Sequence, residues 1–163
     1  LTRRYFQSRG PATVKDFSTW SGLTMADCKK GIEMLKPELL REQVDKEDFY
    51  LFSNISANAK AAQNLHLLPI YDEYIMGYKD KRHLLQYRGG IRSVPSIRFM
   101  NMIVLNGQII GSWRREIQGK CIDLEYEFFA PTEETTQILF EQAVRRFEEF
   151  NGLTVRTQAQ VTG

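Results

Sequence analysis

The spacing of apolar residues changes twice along the chain, and each change marks a different kind of element. Up to Leu35 apolar side chains recur every three or four positions, as one face of a helix requires. Leu1, Tyr5 and Phe6 predict a first amphipathic helix. In "GPATVKDFSTWSGLTMADCKKGIEML", residues 10–35, Thr13 is placed to cap a helix with Asp16 at its third position, and Val14, Phe17 and Trp20 line one side. Gly22 supplies a turn, and Thr24 caps a further helix with Asp27 at its third position and Met25, Cys28, Ile32 and Leu35 as its apolar stripe. Two short helices about a glycine turn form a helix-turn-helix. Leu40–Val44 and Asp48–Phe52 then read as strands about a three-residue turn, Asp45-Lys46-Glu47, and three helices followed by a hairpin predict a winged helix. Residues 54–64 read as a short helix or linker.

Period two dominates afterwards. Asn106-Gly107 between apolar runs predicts a type I′ hairpin, and Gln118-Gly119-Lys120 turns the chain into "CIDLEYEFF". There Ile122, Leu124, Tyr126 and Phe128 alternate with Asp123, Glu125 and Glu127. Thr132-Glu133-Glu134 opens a helix striped by Phe140, Ala143, Phe147 and Phe150, Asn151-Gly152 ends it, and "LTVRTQAQV" predicts a last strand. The expected fold class is α+β: a winged helix over 1–64, followed over 65–163 by an antiparallel β-barrel-like unit with one long packed helix.

Composition narrows the function classes. No run reaches the roughly 18 apolar residues of a membrane helix, no signal-peptide pattern opens the chain, and no membrane partner is expected. The chain opens at Leu1 inside a helical pattern, which suggests a piece of a longer protein. Cys28 and Cys121 suit reduced core thiols, and His66 and His83 lack metal-ligand spacing, so neither metal nor cofactor is expected. The net charge of +2 hides a gradient: +2 over residues 1–64, +5 over 65–120 and −5 over 121–163. A basic middle suits an anionic partner. Its cluster of Lys79, Lys81, Arg82, Arg88, Arg92 and Arg98 is interleaved with Tyr78 and Tyr87, which could stack on a displaced base. Lys29 and Lys30 lie on the polar side of the second helix of the pair, where a recognition helix meets phosphates and base edges. The hairpin is acidic: Glu42, Asp45, Glu47 and Asp48 outnumber Arg41 and Lys46.

Four stretches carry a resemblance: "RRYFQSRGPATVKDFSTWSGL" (3–23), "LLPIYDEYIMGYKDKR" (67–82), "VLNGQIIGSWRR" (104–115) and "IDLEYEF" (122–128). Together, in this order, they resemble the C-terminal part of the bacterial winged-helix DNA-binding proteins of AlkZ/YcaQ type. Members of that family are DNA glycosylases that excise alkylated bases, some from interstrand crosslinks, with tandem winged helices before a C-terminal β-barrel. The resemblance implies duplex DNA and N-terminal winged-helix domains of the same protein as partners, and a cytoplasmic location. It implies a winged helix over Thr13–Phe52, and within "GSWRR" it places Trp113 in the core and Arg114 or Arg115 toward DNA. The family's catalytic signature, Gln-apolar-Gln or Gln-apolar-Asp, lies in N-terminal winged helices. Gln158-Ala159-Gln160 fits it by chance, in another element. Asp72 matches the acid after "LLP" and is the weak catalytic candidate, though it and Glu73 read first as capping and anchoring groups in the opening turn of a helix. A non-enzymatic winged-helix module, either a transcription regulator or a protein-docking domain, is the alternative.

If residues 78–98 track phosphates, reversing Arg82 and Arg88 to Glu weakens DNA binding for every sequence. It also flattens the slope of log affinity against log salt by about 0.9 per lost contact. Anisotropy titrations across a salt series measure both, and an unchanged slope moves the contact surface elsewhere.

Overall fold

The computed structural model of the 163-residue chain describes residues 1–53, 63–79, 84–85 and 100–160. It divides into two compact units, Leu1–Lys60 with Glu73–Lys81, and Ala61–Asp72 with Arg82–Gly163. The segment Glu73–Lys81 counts with the first unit.

The first unit runs α1 (Thr2–Arg9), β1 (Ala12–Thr13), α2 (Val14–Ser21), α3 (Met25–Met34), β2 (Leu39–Val44) and β3 (Glu47–Phe52), and includes α4 (Glu73–Met76). The expected caps are present. Thr13 and Asp16 form a reciprocal capping box on α2, Gly22 ends it in the left-handed region at φ 72°, and the Thr24 hydroxyl accepts from the Asp27 amide. Burial follows the helical stripes in part. Tyr5, Phe6, Phe17, Cys28 and Ile32 form the core with Ala12 and Phe52, while Met25 faces solvent. Trp20 is half exposed, its ring 5.2 Å from that of Tyr5 and beneath the Arg9 guanidinium at 5.3 Å. Helices α1 and α3 meet closely at Gly31, where any Cβ would collide with the Thr2 hydroxyl. Strand β3 is central in an antiparallel sheet of order β1-β3-β2. The hairpin turn is shorter than expected. Val44 pairs with Glu47, so Asp45 and Lys46 alone make the turn, both left-handed at φ 48° and 66°. The right-handed twist of the two strands favours that turn geometry even without glycine.

The second unit holds β4 (Leu65–Leu68), β5 (Asn101–Leu105), β6 (Gln108–Gln118), β7 (Cys121–Phe128), α5 (Glu134–Asn151) and β8 (Thr154–Ala159). Its five strands run in the order β4-β5-β6-β7-β8. Asn106 and Gly107, at φ 49° and 81°, make the expected I′ turn between β5 and β6. Strand alternation puts Leu124, Tyr126 and Phe128 against α5, where Phe140 packs 4.3 Å from the Tyr126 ring and 5.5 Å from that of Phe128. The Arg146 guanidinium pins the far side of the helix to the Leu65 carbonyl at 2.8 Å.

Two expectations fail here. An antiparallel, barrel-like unit was expected, but among the described residues the sheet is open, and β8 pairs parallel to β7. The cause is α5: 18 residues span about 27 Å, enough to carry the chain back along the whole sheet, so the next strand begins where β7 began. Phe150 was expected on the buried stripe and is instead 90% exposed, because Val144 rather than Phe150 continues the buried face.

The Tyr5 hydroxyl is buried with no hydrogen-bond partner among the described residues, and burial, followed by the nearby Asp16 carboxylate, pushes its pKa well up. Removing an unsatisfied buried hydroxyl relieves its desolvation penalty. Tyr5→Phe is expected to leave stability unchanged or raise it by about 1 kcal/mol in urea unfolding. A loss above that size would mean the hydroxyl has a partner.

Candidate nucleic-acid interface

In the first unit, internal pairing consumes most of the acids. Asp27 bonds the Thr24 hydroxyl, Glu33 meets Lys36, Glu38 pairs with Arg3, Asp48 with Arg41 at 2.7 Å, and Glu73 with Arg9. The cations Arg4 on α1, Lys15 on α2, and Lys29 and Lys30 on α3 are exposed and have no carboxylate partner among the described residues. At the hairpin the balance reverses. With Arg41 tied to Asp48, Lys46 stands against Glu42, Asp45 and Glu47. Asp16 and Asp27 meet only neutral donors and keep their charge, so the helices carry a smaller net positive charge than these four cations alone, and the hairpin carries negative charge.

Among the described residues, three polar contacts tie Glu73–Lys79 to the rest of this unit. Glu73 pairs with Arg9, the Tyr78 hydroxyl donates to the Arg9 carbonyl at 3.0 Å, and the Lys79 amide donates to Asp16 Oδ1 at 2.7 Å. The other oxygen of Asp16 accepts from the Thr13 amide at 2.8 Å and its hydroxyl at 2.7 Å. One buried carboxylate thus caps α2 and anchors the start of the basic segment. Sequence reasoning found the cap and missed the anchor, because nothing in a local pattern reveals a donor 63 positions away.

Tyr78 is half-buried against the first unit's core, at 6.3 Å from the Tyr74 ring, and burial raises the pKa of both phenols. Lys79 has an exposed side chain. Lys81, Arg82, His83, Tyr87, Arg88, Arg92 and Arg98 lie outside the described residues. Asp72 is half-buried directly before α4, its amide donating to the Pro69 carbonyl at 3.2 Å, and Glu73 has the anchoring role expected of it through Arg9.

In the second unit, Trp113 is core, its indole donating to the Leu68 carbonyl at 3.1 Å. Arg114 and Arg115 are consecutive on β6 and therefore face opposite sides of the sheet. Arg114 donates to Glu125 at 2.8 Å, and Arg115 lies 5.5 Å over the Phe147 ring. Glu125 also accepts from the Gln160 amide at 2.9 Å, and Gln160, then Arg114, hold its carboxyl below the usual carboxylate range. Arg156 pairs with Asp123 along the same face at 2.7 Å. His66 is exposed on β4, and among the described residues no three His, Cys, Asp or Glu side chains group as a metal site requires.

A family model described as "DNA glycosylase AlkZ-like" matches residues 1–150. Among solved structures, the Streptomyces sahachiroi DNA glycosylase AlkZ resembles the chain with a TM-score of 0.63 at 22% identity, covering 91% of this chain. At that identity the likeness is one of fold, and the chain spans 42% of the Streptomyces protein's length. No curated protein sequence matches it. No helix among the described residues is long and apolar enough to cross a membrane.

Asp16→Ala removes acceptors from the Thr13 amide and hydroxyl and the Lys79 amide. A stability loss on the order of 2–3 kcal/mol is expected, since buried donors then lose a charged partner. Hydrogen exchange at the Lys79 amide is expected to speed up more than that at the Asp27 amide, which caps independently. Equal acceleration of the two would mean that Asp16 supports only the helix.

Proposed function

The chain belongs to the AlkZ-like DNA glycosylase family, and from that premise we propose that it forms the DNA-gripping C-terminal portion of a glycosylase that excises alkylated bases or unhooks interstrand crosslinks. Residues 1–64 act as a winged helix and 65–163 as the C-terminal domain, with further winged helices of the same protein supplying the catalytic glutamine signature. In this reading α3 is the recognition helix and β2–β3 the wing, consistent with the order of three helices before a hairpin.

The observation that carries the reading is the charge division of the first unit. Arg4, Lys15, Lys29 and Lys30 remain uncompensated on the helices while the hairpin is acidic. Helices rather than wing then meet the phosphates, and the segment anchored by Asp16 continues the contact from Lys79 into the basic cluster. Such contacts release counterions and supply sequence-independent affinity. Arg114 is committed to Glu125, and the separation of Arg114 from Arg115 across the sheet favours one of them at most as a DNA contact. Asp72 serves as an ordering group beside α4. The base to be removed has to be held outside the stack in a shaped pocket, which is the task assigned to the additional winged helices.

The 163-residue chain is therefore expected to bind duplex DNA weakly and without sequence preference, at about 10⁻⁴ to 10⁻⁶ M at physiological salt. It should release no base from methylated duplex on its own, while a longer form carrying the additional winged helices should do so. Anisotropy titration and an assay for released base and abasic sites give both answers. Excision by this chain alone would place the chemistry inside it and sink the division of labour. Absence of any salt-sensitive DNA binding would leave the protein-docking module in its place.

A further inference from the structure

Both faces of the first unit's three-stranded sheet carry apolar side chains, and only one face is spent on the core. Phe52 is buried, and Leu39 and Tyr50 pack against the same cluster, so Arg41, Gln43 and Asp48 share that inner face by strand alternation and pairing. There Asp48 takes up Arg41 at 2.7 Å and Gln43 at 3.4 Å. The outer face holds the alternate set, Leu40, Glu42 and Val44 on β2 against Leu51, Phe49 and Glu47 on β3. An antiparallel sheet with one face on the core ordinarily turns polar residues outward. Here Leu40 and Val44 are 47% and 48% exposed. Glu42 and Glu47 have no cationic partner among the described residues, since Arg41 is held by Asp48 on the other face.

The outward stripe of α3 repeats this pattern with the opposite charge. Cys28 and Ile32 are buried, so Ala26, Lys30 and Met34, one helical turn apart, lie on the far side of the helix. Met34 is 77% exposed, and Lys29 and Lys30 have no carboxylate partner among the described residues. From Leu40 to Val44 a strand advances about 13 Å, with Glu42 at its middle. From Ala26 to Met34 a helix advances about 12 Å, with Lys30 at its middle. Laid one on the other, apolar ends meet apolar ends and the carboxylate meets the ammonium. The acids of the outer face repel a phosphate backbone, which leaves a protein surface as the partner it fits. An apolar sheet face is ordinarily covered by a helix or a second sheet, and α3 is such a helix with the matching spacing.

We propose that the outer face of the β2–β3 hairpin docks on α3 of a second copy of this chain. Glu42 meets Lys30 there, and Leu40 and Val44 cover Ala26 and Met34. Reciprocated about a twofold axis, the contact occurs twice and closes a dimer. Each patch is small and charged, so the association is weak and is screened by salt. It forms without DNA, and its failure leaves the DNA reading where it stands.

Sedimentation equilibrium of the 163-residue chain over a series of protein and salt concentrations tests the assignment. The mass is expected to rise toward that of a dimer at low salt and to fall back at high salt. Two double variants reverse the charges, one combining Glu42→Lys with Glu47→Lys and the other Lys29→Glu with Lys30→Glu. Each alone is expected to weaken self-association about tenfold, the effect of losing two exposed ion pairs twice over. An equimolar mixture of the two is expected to recover the dimer, because both contacts then join opposite charges again. Val44→Thr keeps a β-branched side chain and every charge, and is expected to weaken the dimer through lost apolar contact alone. Thermal melts check that each variant is folded, and Val44→Thr carries the test if a charge variant melts early. A chain that stays monomeric at every concentration, a mixture that stays monomeric, or a full-strength dimer in Val44→Thr overturns the proposal.

Discussion

A single buried carboxylate organises the first unit. Asp16 is 4% exposed and accepts three hydrogen bonds, two from Thr13 and one from Lys79. Burying a charge is tolerable only when its acceptor capacity is met, and here the donors come from two separated parts of the chain. The same group that starts α2 therefore also fixes the chain at Lys79. Tyr78 and Glu73 add a phenol and an ion pair to that attachment, both through Arg9, whose guanidinium also covers Trp20. Arg9 and Asp16 between them join α1, α2 and the start of the basic segment.

Charge in this unit is arranged by subtraction. The chain carries nearly balanced totals, and on α1, α2 and α3 Glu33 is ion-paired while Asp16 and Asp27 keep their charge against neutral donors, so the unpaired Arg4, Lys15, Lys29 and Lys30 still outnumber them. Exposed ion pairs of this kind contribute little to stability. Their larger effect is to decide which cations remain available to a polyanion. In the second unit the opposite holds: Arg114 and Arg156 are both consumed by β7 carboxylates, which leaves that sheet face polar but weakly charged.

Much of this was legible in the residues. Thr13, Thr24, Gly22 and the Asn106-Gly107 pair act within a few positions of themselves, and local chemistry specified each of them. The alternation of Ile122 to Phe128 likewise set which face of β7 is buried. The parallel seating of β8 was not legible, since it depends on how far α5 carries the chain. Nor was the exposure of Phe150, which lies in the last turn of α5 beyond its buried residues Phe140, Ala143 and Val144. The third partner of Asp16 is a long-range outcome. The basic cluster, the strongest functional signal in the sequence, falls mostly outside the described residues.

Assignment of Glu73–Lys81 to the first unit, between two stretches assigned to the second, has a consequence for how the protein can vary. A unit completed by a returning segment has no single cut point that releases it whole. A product ending before Glu73 keeps α1, α2 and α3 but leaves Asp16 Oδ1 and the Arg9 guanidinium facing vacated positions. Length is constrained in the same way. Between Glu73 and Lys79 the chain makes three attachments in seven residues, so one inserted residue puts at least one of them out of register. Over that stretch, drift among descendants should proceed by exchanging side chains at constant length, while insertions and deletions collect at the hairpin tip of β2–β3, which bears no such attachment.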